Sequence, residues 1–169
     1  MADTTISKLV NRSEVRSYMD TAVSGSATPT FTLMGEGFTS LNESKNPKEY
    51  SRQYVHENTE RTDVTGYAPS IAYSVDVYTN NPVIQRIRDV TDGELVGTDA
   101  QVNIVTVEHF MGEASSRPAT KRTYSIIPDG KGDGTDALVY TGAFHAVGDI
   151  VKGTWDESQS TFTEATAIT

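Results

Sequence analysis

Hydrophobic and polar positions alternate most strictly over Ser70–Tyr78. Ile71, Tyr73, Val75 and Val77 fall on one side, and Ala72, Ser74, Asp76 and Tyr78 on the other. A period of two predicts a strand with one face on a core and the other on water or a polar cavity. The pattern then changes. Asn81 is a good N-cap and Pro82 suits the first helical position, where its missing N–H costs nothing. Val83, Ile84, Ile87 and Val90 recur at helical spacing, and Asp92-Gly93 supplies a stop, which predicts one short helix with an apolar stripe packed on a sheet. Ala100–Phe110 reads as a long strand, but Val102 and Ile104 oppose Val105 and Val107. Either both faces are covered there or a bulge shifts the alternation. Thr120–Ile127 and Ala137–His145 flank a glycine-rich turn, Asp129–Asp136, and predict a hairpin. Val147–Trp155 and Thr161–Ile168 complete the strands.

The first half is less regular. An N-terminal arm leads into a short strand near Glu14–Asp20, Ser24–Pro29 is a loop by composition, and Phe31–Met34 is a strand ended by Gly35 and Gly37. Thr39–Lys48 is polar and rich in Ser, Asn and Lys, and reads as a long loop; such a loop in a compact domain usually has a partner. Arg52–Glu57 resumes as a strand that Thr59–Val64 extends, with a bend at Thr65-Gly66.

Composition agrees with a mostly β chain. Val, Ile and Thr make up 48 of 169 residues against five Leu, and branching at Cβ favours the pleated sheet over the helix. With no cysteine, disulfides, thiolate metal sites and cysteine nucleophiles are excluded. No apolar run approaches the ~18 residues of a membrane span and no signal-peptide core precedes the domain, so a soluble chain kept inside the cell is expected. A net charge of −9 and the lack of a basic block disfavour tight nucleic-acid binding, which draws on Lys and Arg to displace phosphate counterions. The last 41 residues hold seven Asp or Glu against two Lys, a net −5, and read either as a solvated face or as part of a shared working surface.

Candidate chemistry is sparse. Asp129, Asp133 and Gly134 match positions 1, 5 and 6 of a calcium loop, but Lys131 occupies a ligand position and Tyr140 replaces the closing Glu, so a plain turn is the better reading. His56, His109 and His145 lie far apart, without zinc-ligand spacing, and read as structural or surface histidines in strands. A G-x-S-x-G elbow and a phosphate-binding loop are both missing. No enzyme, metal or cofactor is expected.

A set of colinear phrases points elsewhere. Asn46–Tyr50, Arg52–Val55, Thr62–Tyr67, Ser70–Tyr73, Tyr78–Val83, Thr91–Ala100, Ile127–Asp129, Gly132–Leu138 and Val151–Thr154 resemble the major tail tube proteins of long-tailed bacteriophages of Gram-positive hosts. Their order and spacing cover most of Phe31–Thr154.

The resemblance implies a mainly β, β-sandwich or barrel-like tail-tube fold with one flanking α-helix and a long inter-ring loop. One domain spanning 1–169 is expected, with an arm over about 1–13 and no further immunoglobulin-like domain. The implied role is structural: hexameric rings of the virion tail, assembled in the host cytoplasm, stack into the conduit for genome ejection. Partners would be other copies of the chain and the tape-measure, tail-terminator and distal-tail proteins; DNA would pass without specific binding and no membrane would be involved. Ala72, Ser74 and Asp76 would face the lumen, and Leu41, Asn42, Glu43, Ser44 and Lys45 would form the inter-ring loop. Val83, Ile84, Ile87 and Val90 would pack the helix. Two other readings compete: the inner tube of a contractile tail or injection device, and a monomeric immunoglobulin-like binding module. The second wants exposed aromatic platforms, which a single Trp155 and eight Tyr do not point to.

Overall fold

The computed structural model describes residues 8–22, 26–132 and 134–166. Strand β1 (Val15–Asp20) follows a short 3-10 turn, and β2 (Phe31–Leu33) and β3 (Phe38–Ser44) come next. Strands β4 (Pro47–Arg52) and β5 (Arg61–Tyr67) precede β6 (Ser70–Asp76) and helix α1 (Pro82–Asp92). The chain continues through β7 (Gln101–Glu108), β8 (Arg117–Gly132), β9 (Val139–Ala146), β10 (Val151–Asp156) and β11 (Thr161–Glu164). The expected arm, loop, turn and last strand each run partly outside the described residues, at 1–7, 23–25, 133 and 167–169.

Nine strands form one antiparallel sheet in the order β2-β1-β7-β8-β9-β6-β3, while β4 and β5 pair only with each other. Strand β8 is long enough to serve two partners along one edge: Arg117–Lys121 pair with β10, and Tyr124–Gly132 with β9. Strand β11 continues outward from β10.

Both faces of this sheet carry core, at different ends. On one face Ile71, Tyr73, Val75, Val102, Ile104, Tyr124, Ile126, Tyr140 and Phe144 pack under Val83, Ile84, Ile87 and Val90 of α1. On the other, Val105, Val107 and Ala119 pack under Trp155, with Tyr18, Phe31 and Phe162 at its rim. The break of alternation in β7 is explained: the core changes face between Ile104 and Val105, and the ladders to β1 and β8 run through without a register shift. Helix α1 forms as its sequence dictates. Asn81 Oδ1 accepts from the amides of Val83 at 3.0 Å and Ile84 at 3.4 Å, and all four stripe residues are buried.

The sheet curls until its ends approach. The Arg12 guanidinium donates to the Val15 carbonyl of β1 at 2.6 Å and to the Leu41 carbonyl of β3 at 3.2 Å. No ladder joins β1 to β3, so this is an open curled sheet, neither a closed barrel nor a two-sheet sandwich.

The expected Thr39–Lys48 loop is corrected. Leu41, Asn42, Glu43 and Ser44 lie in β3, paired with β6, and only Lys45 falls in the connection to β4. A bulge at Thr39 hid the strand: it puts Phe38 opposite Val75 and Leu41 opposite Tyr73, so the core-facing residues are three apart instead of two. The strand expected at Arg52–Glu57 is corrected as well, because β4 ends at Arg52 and the chain returns as β5. What read as a bend at Thr65-Gly66 lies inside β5, at a register shift opposite Lys48 and Glu49. The turn after β8 is shorter than expected, since the ladder to β9 continues through Gly132 past a shift near Asp129.

Candidate assembly surfaces

Two exposed surfaces stand out. The first is the outward face of β3, β6, β9 and the upper part of β8. Ladder partners share a face, which gives the cross-strand rows Ser40–Ser74–Thr141, Asn42–Ala72–Ala143–Ile127 and Ser44–Ser70–His145–Ser125. Ala72 is exposed, and Ser74 and Asp76 are half-buried. These rows are hydroxyls, an amide, the imidazole of His145 and small or apolar groups, with no Lys or Arg; Asp76 adds an acid beside Val139. Sequence reasoning identified the β6 residues, but their β3 partners became visible only once the supposed loop was seen to pair.

The second surface is the β4–β5 hairpin. Every β4 residue is exposed, and β5 is exposed apart from Gly66. Asn46 anchors its base, donating from Nδ2 to the Ala68 carbonyl at 3.0 Å and to Ser70 Oγ at 3.2 Å. Beyond that anchor the hairpin carries its own arginine–tyrosine stack. The Arg52 guanidinium lies 5.1 Å from the Tyr50 ring centre and 4.9 Å from that of Tyr54, with Arg61 5.9 Å from Tyr54. Tyr50, Val64 and Tyr67 remain 50%, 53% and 60% exposed. An isolated two-stranded hairpin is marginal in water, and Tyr and Arg are residues enriched in binding hot spots.

The histidines take different places. His56 lies in the β4–β5 connection, stacked on Tyr54, and His145 is exposed on β9. His109 follows β7 with its side chain only 8% exposed, Nε2 lying 3.3 Å from Tyr18 Oη and Nδ1 in contact with Glu157 Oε1. A hydroxyl, an imidazole and a carboxylate in line resemble a catalytic relay. The hydroxyl end argues against one. The Tyr18 ring is stacked on Trp155 at 4.5 Å, and burial pushes the phenol's pKa up, away from phenolate. Of the tail acids, Asp156 caps its turn through Ser158 and Glu157 binds Arg117, so these two have local structural partners. Among the described residues no group of three His, Asp or Glu could hold a metal ion, and no helix is long and apolar enough to cross a membrane.

The chain's architecture has known counterparts. Over 89% of its length it superposes on 83% of a chain of the SPP1 tail tube, solved by solid-state NMR and cryo-EM, with a TM-score of 0.67 and 11% identity. The chain has a tail-tube fold. It also covers 99% of a chain from the tail of the empty GTA particle, determined with C6 symmetry, at TM-score 0.60 and 14% identity. A chain of the six-fold symmetrised anti-feeding prophage baseplate is matched over 97% of its length, at TM-score 0.53 and 12% identity. No family model and no curated protein matches the sequence.

Proposed function

We propose that this protein is a non-catalytic tail-tube subunit that assembles into hexameric rings, and that the rings stack into a conduit for DNA within a virion tail. The observation that carries this reading is the tail-tube fold combined with a hairpin that is left exposed among the described residues. The hairpin takes the inter-ring role first assigned to Leu41–Lys45: it projects from the Asn46 anchor and presents Tyr50, Arg52, Tyr54 and Arg61 to a neighbouring copy. The Ser40–Ser74–Thr141 and Asn42–Ala72–Ala143 rows line the channel, with Ala72, Ser74 and Asp76 as its centre. Such a wall offers no cation to a phosphate, so contact with DNA releases no counterions and the polymer slides. Ring closure also covers the sheet edges left open at β2, β3 and β11. Tape-measure, terminator and distal-tail proteins are the expected neighbours along and at the ends of such a tube.

A second reading, the tube of an injection device or contractile tail, is favoured by the likeness to the anti-feeding prophage chain. Electron microscopy of the purified protein tests the common core of both: six-fold rings or tubes are expected, and co-expression with a sheath protein distinguishes the two.

A further inference from the structure

The His109 neighbourhood ties together four separated segments. From β1 come Tyr18, whose hydroxyl faces His109 Nε2, and Arg16, whose charge acts on the imidazole. From the turn after β10 comes Glu157, in contact with His109 Nδ1. From the start of β8 comes Arg117, which donates from Nε to Glu157 Oε1 at 2.8 Å and from Nη1 to the carbonyls of His109 at 2.6 Å and Met111 at 3.3 Å. Two backbone bonds run alongside: His109 N–H donates to the Glu14 carbonyl at 2.7 Å, and Glu157 N–H to that of Ala114 at 3.0 Å. Among the described residues, the side-chain hydrogen bonds that tie the His109–Ser116 connection to the rest of the fold thus run through one histidine, one carboxylate and one arginine, beside these two backbone bonds.

We propose that Tyr18, His109, Glu157 and Arg117 form an acid-released clamp that holds the β7–β8 connection against the β10–β11 hairpin. With its side chain only 8% exposed and two arginines nearby, His109 fits this site as a neutral imidazole that donates from Nδ1–H to ionised Glu157 and accepts the Tyr18 hydroxyl proton at Nε2. Protonating the imidazole buries a third cation beside Arg16 and Arg117, against the attraction of Glu157, and turns Nε2 from an acceptor of the Tyr18 proton into a donor. Protonating Glu157 removes the acceptor that Arg117 and His109 share. The direction of both titrations agrees. Burial, then Arg16, hold His109 below its ordinary value of 6.5, against the opposing pull of Glu157. Burial of Glu157 works the other way, but Arg117 and His109 outweigh it and hold the carboxyl below its ordinary 4.5. Both groups therefore bind protons more readily when the clamp is open. The clamp is at full strength above pH 6.5, weakens as pH falls below that value, and weakens again below 4.5. Release frees the segment carrying the half-exposed side chains of Phe110 and Met111.

This inference does not rest on the conduit reading. Amide hydrogen exchange of the full chain, corrected for intrinsic rates, is compared at pH 7.5 and 5.5, with light scattering recorded at each pH. Protection of 109–116 is expected to fall several-fold, and by no more than roughly tenfold because pH 5.5 lies one unit below the ordinary histidine value, while amides of β7 stay unchanged. His109→Gln should abolish that pH response, and Glu157→Gln should loosen the segment already at pH 7.5. Equal protection of 109–116 in the parent at both pH values overturns the proposal, and so does a His109→Gln chain that keeps the parent's response. Should either variant fail to fold, the parent's two measurements alone decide.

Discussion

A Cβ added to Gly142 would lie 2.5 Å from the Ile127 carbonyl oxygen and 2.6 Å from the Tyr73 hydroxyl. Tyr73 lies flat over this position and fills the core beside Phe144, with a ring separation of 4.8 Å, and its phenol is pushed up to about 12 by burial. The glycine exists to admit the tyrosine. Gly142→Val should therefore destabilise the fold by about 2–3 kcal/mol, because the clash is partly with backbone and cannot be relieved by a rotamer change; denaturant unfolding against the parent measures it. At Asp76 the consequence is functional. Asp76→Lys should leave folding within about 0.5 kcal/mol of the parent, since the side chain is half-buried with no ion-pair partner to break. In assembled tubes the same lysine repeats around every ring. Tubes carrying it should retain duplex DNA at low salt and release it as salt rises, whereas parental tubes should not. Identical sedimentation of DNA with both kinds of tube would place β6 away from the channel.

At the scale of elements, legibility followed the cleanliness of the hydrophobic period. Ser70–Asp76 and Pro82–Asp92 could be read directly, because each buries one face and the helix also carries its own caps, Asn81 and Gly93. Ile87→Asp in that helix should cost about 4 kcal/mol or more, a lost core side chain plus a charge without a partner; unchanged melting would remove α1 from the core. Strand β3 was not legible. Its core residues Phe38 and Leu41 are three apart across a bulge, and its outward residues are polar, so the run reads as a loop. The β4–β5 hairpin failed for a related reason: it has no buried face within the chain, so no period records it. Alternation alone places Ala72, Ser74 and Asp76 on one outward face of β6, their lumen role comes only from the resemblance, and the rest of that face needed the register. Because the Arg52–Tyr54 stack is exposed and lies outside both cores, Arg52→Ala with Tyr54→Ala should change unfolding by less than about 1 kcal/mol. The same pair should raise the concentration needed for assembly by at least about tenfold, the effect of losing one hot spot. Light scattering over a concentration series separates the two effects.

The whole molecule is an open, curled sheet with two cores on opposite faces, a covering helix, and a hairpin projecting from its anchor. The arginine that bridges β1 to β3 brings the ends of the sheet together without pairing them, and the edges at β2, β3 and β11 keep unused backbone groups. In the proposed assembly, neighbouring copies would cover those edges and the tyrosines of the hairpin. The most direct test is electron microscopy of the purified full chain at high concentration, with light scattering on the same sample across salt conditions. The account predicts six-fold rings or tubes whose stacking is lost in the Arg52→Ala, Tyr54→Ala chain. A species that stays monomeric at every concentration and salt would contradict it.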